Sequence, residues 1–317
     1  MQSTGVDIAE AAPISYIMTI DSASSGRLTH LGILRFTGAD ALSFLQGQVS
    51  NDTQRLTEST PVLAAYSTAQ GRVLALIYLL PHSSGVVAIL PREILAATME
   101  RMRRFILRAK VRIEDAADSL VVAGHAGATL ETSSRYLEQD GVGMAPVGPD
   151  ANRRWIIGPP EKIAAPADAA AAKRIEDEWR LADIRAGLPQ VYAATSEAFV
   201  AQMLNLDLLD GISFTKGCYT GQEIIARTQH LGRIKRRLFR LGLPSGAWTV
   251  GQALRLVDGR QGRLTEVIES HGRTEALAVL SVEASSAGGG DDSPGEFLVD
   301  AAELPLPYSL LGPHVRE

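Results

Sequence analysis

Residues able to do chemistry concentrate in one stretch, Phe214-Thr215-Lys216-Gly217-Cys218-Tyr219-Thr220-Gly221-Gln222-Glu223-Ile224-Ile225-Ala226-Arg227. Thr220 and Glu223 form a T-x-x-E pair ahead of an apolar run, the capping-box pattern. It predicts a helix that begins at Gly221, with Thr220 as N-cap and Glu223 at the third helical position. Cys218 then sits two residues before the cap, near the positive end of the helix dipole, with Lys216 close by. Both neighbours favour thiolate over thiol, so the stretch reads as a partly exposed, activated sulfur on a glycine-bracketed loop. The plain alternatives are a small apolar residue filling a gap, and a Glu223 that does nothing beyond capping. Because Cys218 is the single cysteine of 317 residues, an intrachain disulfide and a self-contained thiolate metal cage are both excluded.

Two basic islands are the next candidates. Arg101, Arg103, Arg104, Arg108, Lys110 and Arg112 occur with no acid between Glu100 and Glu114. Arg227, Arg233, Lys235, Arg236, Arg237 and Arg240 occur with none between Glu223 and Asp258. Such islands suit a polycarboxylate, a phosphate or an RNA backbone, or else form a solvated helix face and a charged edge strand. A P-loop, a G-x-G-x-x-G after a strand and a G-x-S-x-G elbow are all missing. The six histidines lack metal-ligand spacing, so no stably bound metal is expected.

The elements that must position these residues follow from periodicity. Strands are predicted at Ile33 to Phe36, Val62 to Ser67, Val73 to Leu80, Val86 to Leu90, Val111 to Ile113, Leu120 to Gly124 and Trp155 to Gly158. Asp40 opens a helix carrying Leu42, Leu45 and Val49. Pro91 to Lys110 is a helix on the stripe Leu95, Met99, Met102 and Ile106, and Ala169 to Leu188 is a second long one, ended by Gly187 and Pro189. Short strands at about ten-residue spacing after Pro244 suggest a small antiparallel barrel or sandwich. A hydrophobic content of 45% with 21% charged residues is that of a globular protein. With a net charge of −5 and 5% aromatics, nucleic acid is not expected as a partner. The N-terminus has no basic and apolar leader, and no run reaches membrane-helix length, so a cytoplasmic protein without membrane attachment is expected.

Lys216-Gly217-Cys218-Tyr219-Thr220-Gly221-Gln222-Glu223 resembles the K-G-C-Y-x-G-Q-E signature of the YgfZ family, folate-binding relatives of the glycine-cleavage T-protein (aminomethyltransferase). Gly38 to Ala41 with Phe44 to Gln48 and Asn51-Asp52, Leu107 to Val111, Arg185 to Pro189 and Leu206 to Phe214 agree in order. The resemblance spans roughly residues 30 to 282.

The resemblance implies an α+β fold with T-protein-like folate-binding domains around a central cavity and a C-terminal antiparallel β-barrel. It divides the chain into a tail and lead-in at 1–29, an α+β region of two intertwined subdomains at 30–243, and a barrel domain at 244–317. It implies a tetrahydrofolate-binding accessory factor in iron–sulfur cluster assembly, insertion or repair, supporting enzymes such as tRNA-thiolating radical enzymes. Assembly proteins or client enzymes would be its partners. Glu223 would meet the pterin edge, with Tyr219, Gln222 and Arg227 beside it. Arg108 would meet the glutamate tail, in the mono- or polyglutamylated form. Cys218 would act as a redox thiolate or transient cluster ligand, and Lys216 would keep it anionic. The T-protein's catalytic aspartate lies in a G-G-x-x-D-D-type strand. Here Leu74 and Ala75 hold the acidic positions, which implies folate binding without aminomethyl transfer. A folate-dependent aminomethyl or C1 transferase and an RNA-binding module are the alternatives.

Overall fold

The computed structural model describes residues 25–126, 135–148, 150–230, 234–284 and 297–310. The chain runs β1 (Ser25–Arg27), β2 (Leu31–Thr37), α1 (Ala41–Gln48), β3 (Val62–Ser67), β4 (Val73–His82), β5 (Gly85–Pro91), α2 (Arg92–Arg103) and β6 (Arg112–Asp115). It continues through β7 (Val121–Ala126), β8 (Leu137–Gln139), β9 (Val142–Val147), β10 (Asp150–Gly158), α3 (Ala169–Ala186) and α4 (Gln222–His230). The last elements are β11 (Arg236–Leu243), β12 (Ala253–Leu256), β13 (Gln261–Ser270), β14 (Arg273–Ser281), β15 (Phe297–Val299) and β16 (Ala302–Leu304).

Three sheets form, ordered β3-β4-β5-β2-β6, β1-β7-β10-β9-β8 and β15-β12-β13-β14-β11-β16. Strand β4 explains why its sequence is apolar without alternation. Ala75, Ile77 and Leu79 pack towards α1 and α2, while Leu76, Tyr78 and Leu80 pack into a central core. A strand buried on both faces reads as a continuous apolar run. The central core draws on all three sheets: Leu76 and Val87 from the first, Val122 and Trp155 from the second, Leu238 and Leu277 from the third, with Trp179 and Ile184 of α3 between them. Its centre is an aromatic row, Tyr78–Trp155 at 5.5 Å and Trp155–Trp179 at 4.9 Å between ring centroids.

Several expectations need correction. Helix α2 stops at Arg103, well short of Lys110. Its last turn tightens through Arg104 N–H to Arg101 O (3.3 Å), Phe105 N–H to Met102 O (3.0 Å) and Ile106 N–H to Arg103 O (3.1 Å). The chain must then fold back, because Asp40 clamps Lys110 in both directions: the Lys110 N–H donates to Asp40 Oδ2 (2.6 Å) and the Asp40 N–H to Lys110 O (3.2 Å). Asp40 is thus spent on this clamp and makes no side-chain cap on α1. Helix α3 ends as expected, with Gly187 left-handed at φ 65°. It also starts as expected, at Ala169, where Asp168 caps it by accepting from the Ala171 N–H at 2.7 Å.

The C-terminal sheet is not a purely antiparallel barrel. Strands β12 and β15 pair in parallel, and among the described residues no pairing joins the outer strands β15 and β16. The sheet also takes in β11, which precedes Pro244 and pairs with β14 along eight residues. Ser25–Arg27, assigned to the lead-in, is a strand paired with β7. The tail through residue 24 and residues 285–296 of the Gly/Ser/Asp loop lie outside the described residues. Among the described residues no helix is long and apolar enough to cross a membrane. A cavity of about 200 Å³ opens beside β1, β2 and β7, lined by Arg27, Leu31, Arg92 and Leu120, and residues 214–227 take no part in its walls.

Candidate functional site around Cys218

The segment carrying Cys218 is held by the end of α1. The Ser213 N–H donates to Ser50 O (2.9 Å), and the Thr220 N–H to Gly47 O (3.3 Å). Below them, Asn51 Nδ2 donates to Asp210 O (2.6 Å) and Ser50 Oγ to Gly211 O (2.6 Å).

Lys216 is the main tether. Its ammonium donates to Gln46 O (2.7 Å), Val49 O (2.8 Å) and Asn51 O (2.8 Å). An ammonium has three N–H donors, so all of them are committed. These carbonyls belong to the last turn of α1 and the residues after it, which a cation suits both as cap and against the negative dipole end. The expectation that Lys216 keeps the sulfur anionic therefore changes: its hydrogens go to carbonyls, and it fixes the loop that carries the thiol. Burial pushes its pKa down to about 8, against a weaker opposing pull from Asp52. The Lys216 nitrogen also lies 4.9 Å from the centre of the buried Tyr219 ring. Burial raises that phenol to about 12.

One prediction follows from the lowered lysine value. Between pH 8 and 10.5 the unfolded chain holds the Lys216 proton more tightly than the folded one. Folded stability contributed here therefore falls as pH drops through that window. Wild type should gain stability relative to Lys216→Met as pH rises from 8 to 10.5, by up to about 3 kcal/mol. Denaturant titration of both proteins across that range measures it, and a difference that is flat with pH would refute it.

Helix α4 begins at Gln222, one residue later than the capping box predicts. Gly221 has φ +85°, a left-handed conformation that cannot be the first helical residue. Glu223 accordingly falls at the second position, out of register for a reciprocal box with Thr220. The turn is forced by close approach: a Cβ on Gly221 would lie 2.6 Å from Thr68 O and 3.1 Å from Gly71 Cα. Helix α4 is anchored beyond it by the fully buried Ile225, whose carbonyl accepts from Gln202 Nε2 at 2.7 Å.

The outcome for the candidate residues is mixed. Cys218, Glu223 and Arg227 are exposed, and Gln222 is half-buried. Glu223 and Arg227 lie one turn apart on α4, and among the described residues neither is engaged in a side-chain hydrogen bond or ion pair. Arg108 is exposed on the loop clamped to the start of α1, whereas the Cys218 segment is tied to its end. Eight residues of helix, about 12 Å, separate those attachment points. Of the second island, Arg237 is buried in a two-pronged pair with Asp207 (2.6 and 2.9 Å), and Arg240 pairs with Glu275 (2.6 Å). Those two arginines hold the fold. Arg233 lies outside the described residues. Among the described residues no group of His, Cys, Asp and Glu could hold a metal ion.

Sequence reasoning missed a buried polar joint between α3 and the C-terminal sheet. Glu266 of β13, 2% exposed, accepts from Arg180 Nη2 and from the Tyr192 hydroxyl, both at 2.5 Å. Nearby, Arg153 bridges Asp150 (2.6 Å) and Asp183 (2.7 Å). The partners lie up to 86 residues apart, and no local spacing announces them.

No family model matches the chain. The tRNA-modifying protein YgfZ of Hamiltonella defensa subsp. Acyrthosiphon pisum (strain 5AT) is 29% identical over 276 residues, covering 82% of this chain and 80% of that protein. The crystal structure of glycine cleavage system aminomethyltransferase T from Bartonella henselae superposes with a TM-score of 0.55 at 12% identity, covering 82% of this chain and 79% of that one.

Proposed function

We propose, from a chain that is a relative of YgfZ with the fold of the T-protein, that it is a tetrahydrofolate-binding accessory factor in the assembly, insertion or repair of iron–sulfur clusters, supporting enzymes that modify tRNA. The observation that carries this reading is that Cys218 and Glu223 both face solvent within one short segment whose backbone is tied down by Lys216 and the close-packed Gly221.

The residues present fit a folate. Glu223 is exposed with its carboxylate unengaged among the described residues, and a carboxylate accepts two parallel N–H bonds of the kind a pterin edge donates. Arg227 and Gln222 stand beside it, and Arg108 is assigned to the glutamate tail. Bound folate would supply a one-carbon carrier. The chain's own residues bind and orient it, and no acid stands at Leu74 or Ala75 to assist proton transfer. Leu74 is half-buried, with its carbonyl accepting from Ser196 Oγ at 2.9 Å. Cys218 supplies one thiolate to a cluster passing through as cargo. Clusters usually take four protein ligands, so the other thiols belong to a partner or a second subunit.

Titration of tetrahydrofolate into the purified protein tests the site. A saturable signal is expected that weakens at least tenfold in Glu223→Ala and persists in Cys218→Ala. In cells lacking the protein, Cys218→Ala should fail to restore tRNA thiolation by cluster-dependent enzymes. Normal restoration would overturn the thiol role, and undiminished binding by Glu223→Ala would overturn the folate site.

A further inference from the structure

The segment after α2 presents apolar side chains to water, and it does so on a fixed backbone. Phe105 is 44% exposed and Leu107 87% exposed. They are the only two large exposed apolar side chains within two residues of each other among the described residues. The segment is not a loose tip. Ile106, Ala109 and Val111 point inward and pack on the core under α1 and α2. The tightened turn at 104–106 holds its first half, and the Asp40 clamp on Lys110 holds its second. Leu107 is held outward by a backbone that has already placed its neighbours inward.

The surroundings are cationic. Arg101, Arg104 and Lys110 carry side chains that no carboxylate pairs with among the described residues, whereas Arg103 pairs with Glu100 and Arg112 with Glu114. Arg101 and Arg104 both lie close enough to the Tyr66 phenol to pull its pKa down against the effect of burial. An apolar centre with an arginine rim is the composition of a protein-docking surface, where arginine and aromatic anchors carry most of the energy. Against an RNA face stand the net charge of −5 and the dominance of Leu107 over a single, less exposed ring, Phe105, where single-strand binding uses several stacked aromatics.

We propose that Arg101, Arg104, Phe105, Leu107 and Lys110 form a docking face for an acidic protein partner, whose carboxylates surround an apolar pocket that receives Leu107. The charge sets the partner's chemistry: in a chain of net charge −5, this unpaired basic island attracts a negatively charged surface. The proposal does not depend on folate binding. Helix α1 lies between this face, attached at its start, and the Cys218 segment, attached at its end.

The test places a photo-cross-linking amino acid at position 107 of the full-length protein in cells, with adducts mapped by mass spectrometry. The expected adduct joins position 107 to an Asp/Glu-rich surface of one protein. Its yield should fall at least tenfold with Arg101→Glu plus Arg104→Glu, and stay unchanged with Arg92→Glu on the cavity side. That partner, purified and titrated against the intact chain, should bind at least tenfold more weakly to Leu107→Asp, with weakening by salt, while the melting temperature of Leu107→Asp matches wild type. Adducts removed by ribonuclease, adducts to residues 1–24 of this chain, yields indifferent to charge reversal, or no adduct would each overturn the proposal.

Discussion

Gly221→Ala should destabilise the protein by about 3 kcal/mol, a melting-temperature loss on the order of 5 °C, while Gly217→Ala four residues earlier should stay within about 0.5 kcal/mol of wild type. The two glycines bracket the same thiol but differ physically. At Gly221 the left-handed backbone (φ +85°) already penalises any side chain. The added Cβ would also meet the Thr68 carbonyl oxygen at 2.6 Å and the Gly71 backbone at 3.1 Å. Both obstacles are main chain, so neither can swing aside. Either the β3–β4 turn moves or α4 lifts away from it, and Cys218 and Glu223 move with α4. At Gly217 a Cβ meets nothing within 4 Å. Thermal melts of both variants, with hydrogen exchange at Gln222 to Ile225, decide the matter. Equal melting temperatures for the two would show that the close approach does not pin the site.

The same glycine marks where sequence reasoning and structure part. T-x-x-E before an apolar run is a local signal, and local signals place a helix correctly to within a residue or so. They do not contain the β3–β4 turn, which lies 150 residues earlier and whose proximity imposes the left-handed start. Helix α2 ends short of its apolar stripe for a related reason. Its apolar stripe continues through Ile106, and that residue does pack inward, but from a folded-back loop that Asp40 holds. Strands were legible because β4 and β5 are buried on both faces, which leaves a continuous apolar run in the sequence. Lys216 shows the limit most clearly. Its spacing from Cys218 suggests electrostatic help to the sulfur. Its burial instead answers the three carbonyls of Gln46, Val49 and Asn51, which no residue near it in sequence reveals. The second basic island divides the same way: Arg237 and Arg240 found acids in space that the run from Glu223 to Asp258 does not contain.

Glu266→Ala is expected to cost about 3–5 kcal/mol, because it removes one member of a buried charged set and strands the others. Glu266 enters the interior through a register shift between Leu264 and Glu266 in β13. A bulge re-aims side chains, and here it turns a carboxylate towards α3. One oxygen takes the Arg180 guanidinium and the Val267 N–H (3.0 Å), and the other takes the Tyr192 hydroxyl. Burial and the facing carboxylate hold the Tyr192 phenol far above its ordinary range, so it stays protonated and donates. Without Glu266, the Arg180 charge is left, among the described residues, with Glu176 at 3.3 Å as its ion-pair partner. The Tyr192 hydroxyl is left with no acceptor. Replacing the charged pair together, as Glu266→Leu with Arg180→Met, should recover most of the loss, since the cost lies in the orphaned partner more than in the pair itself. A double-mutant cycle by chemical denaturation measures this directly. If Glu266→Ala alone melts like wild type, the joint between α3 and the C-terminal sheet rests instead on Ile184 and Leu188 packed with Ile268, Leu277 and Val279, and the polar set is a passenger there.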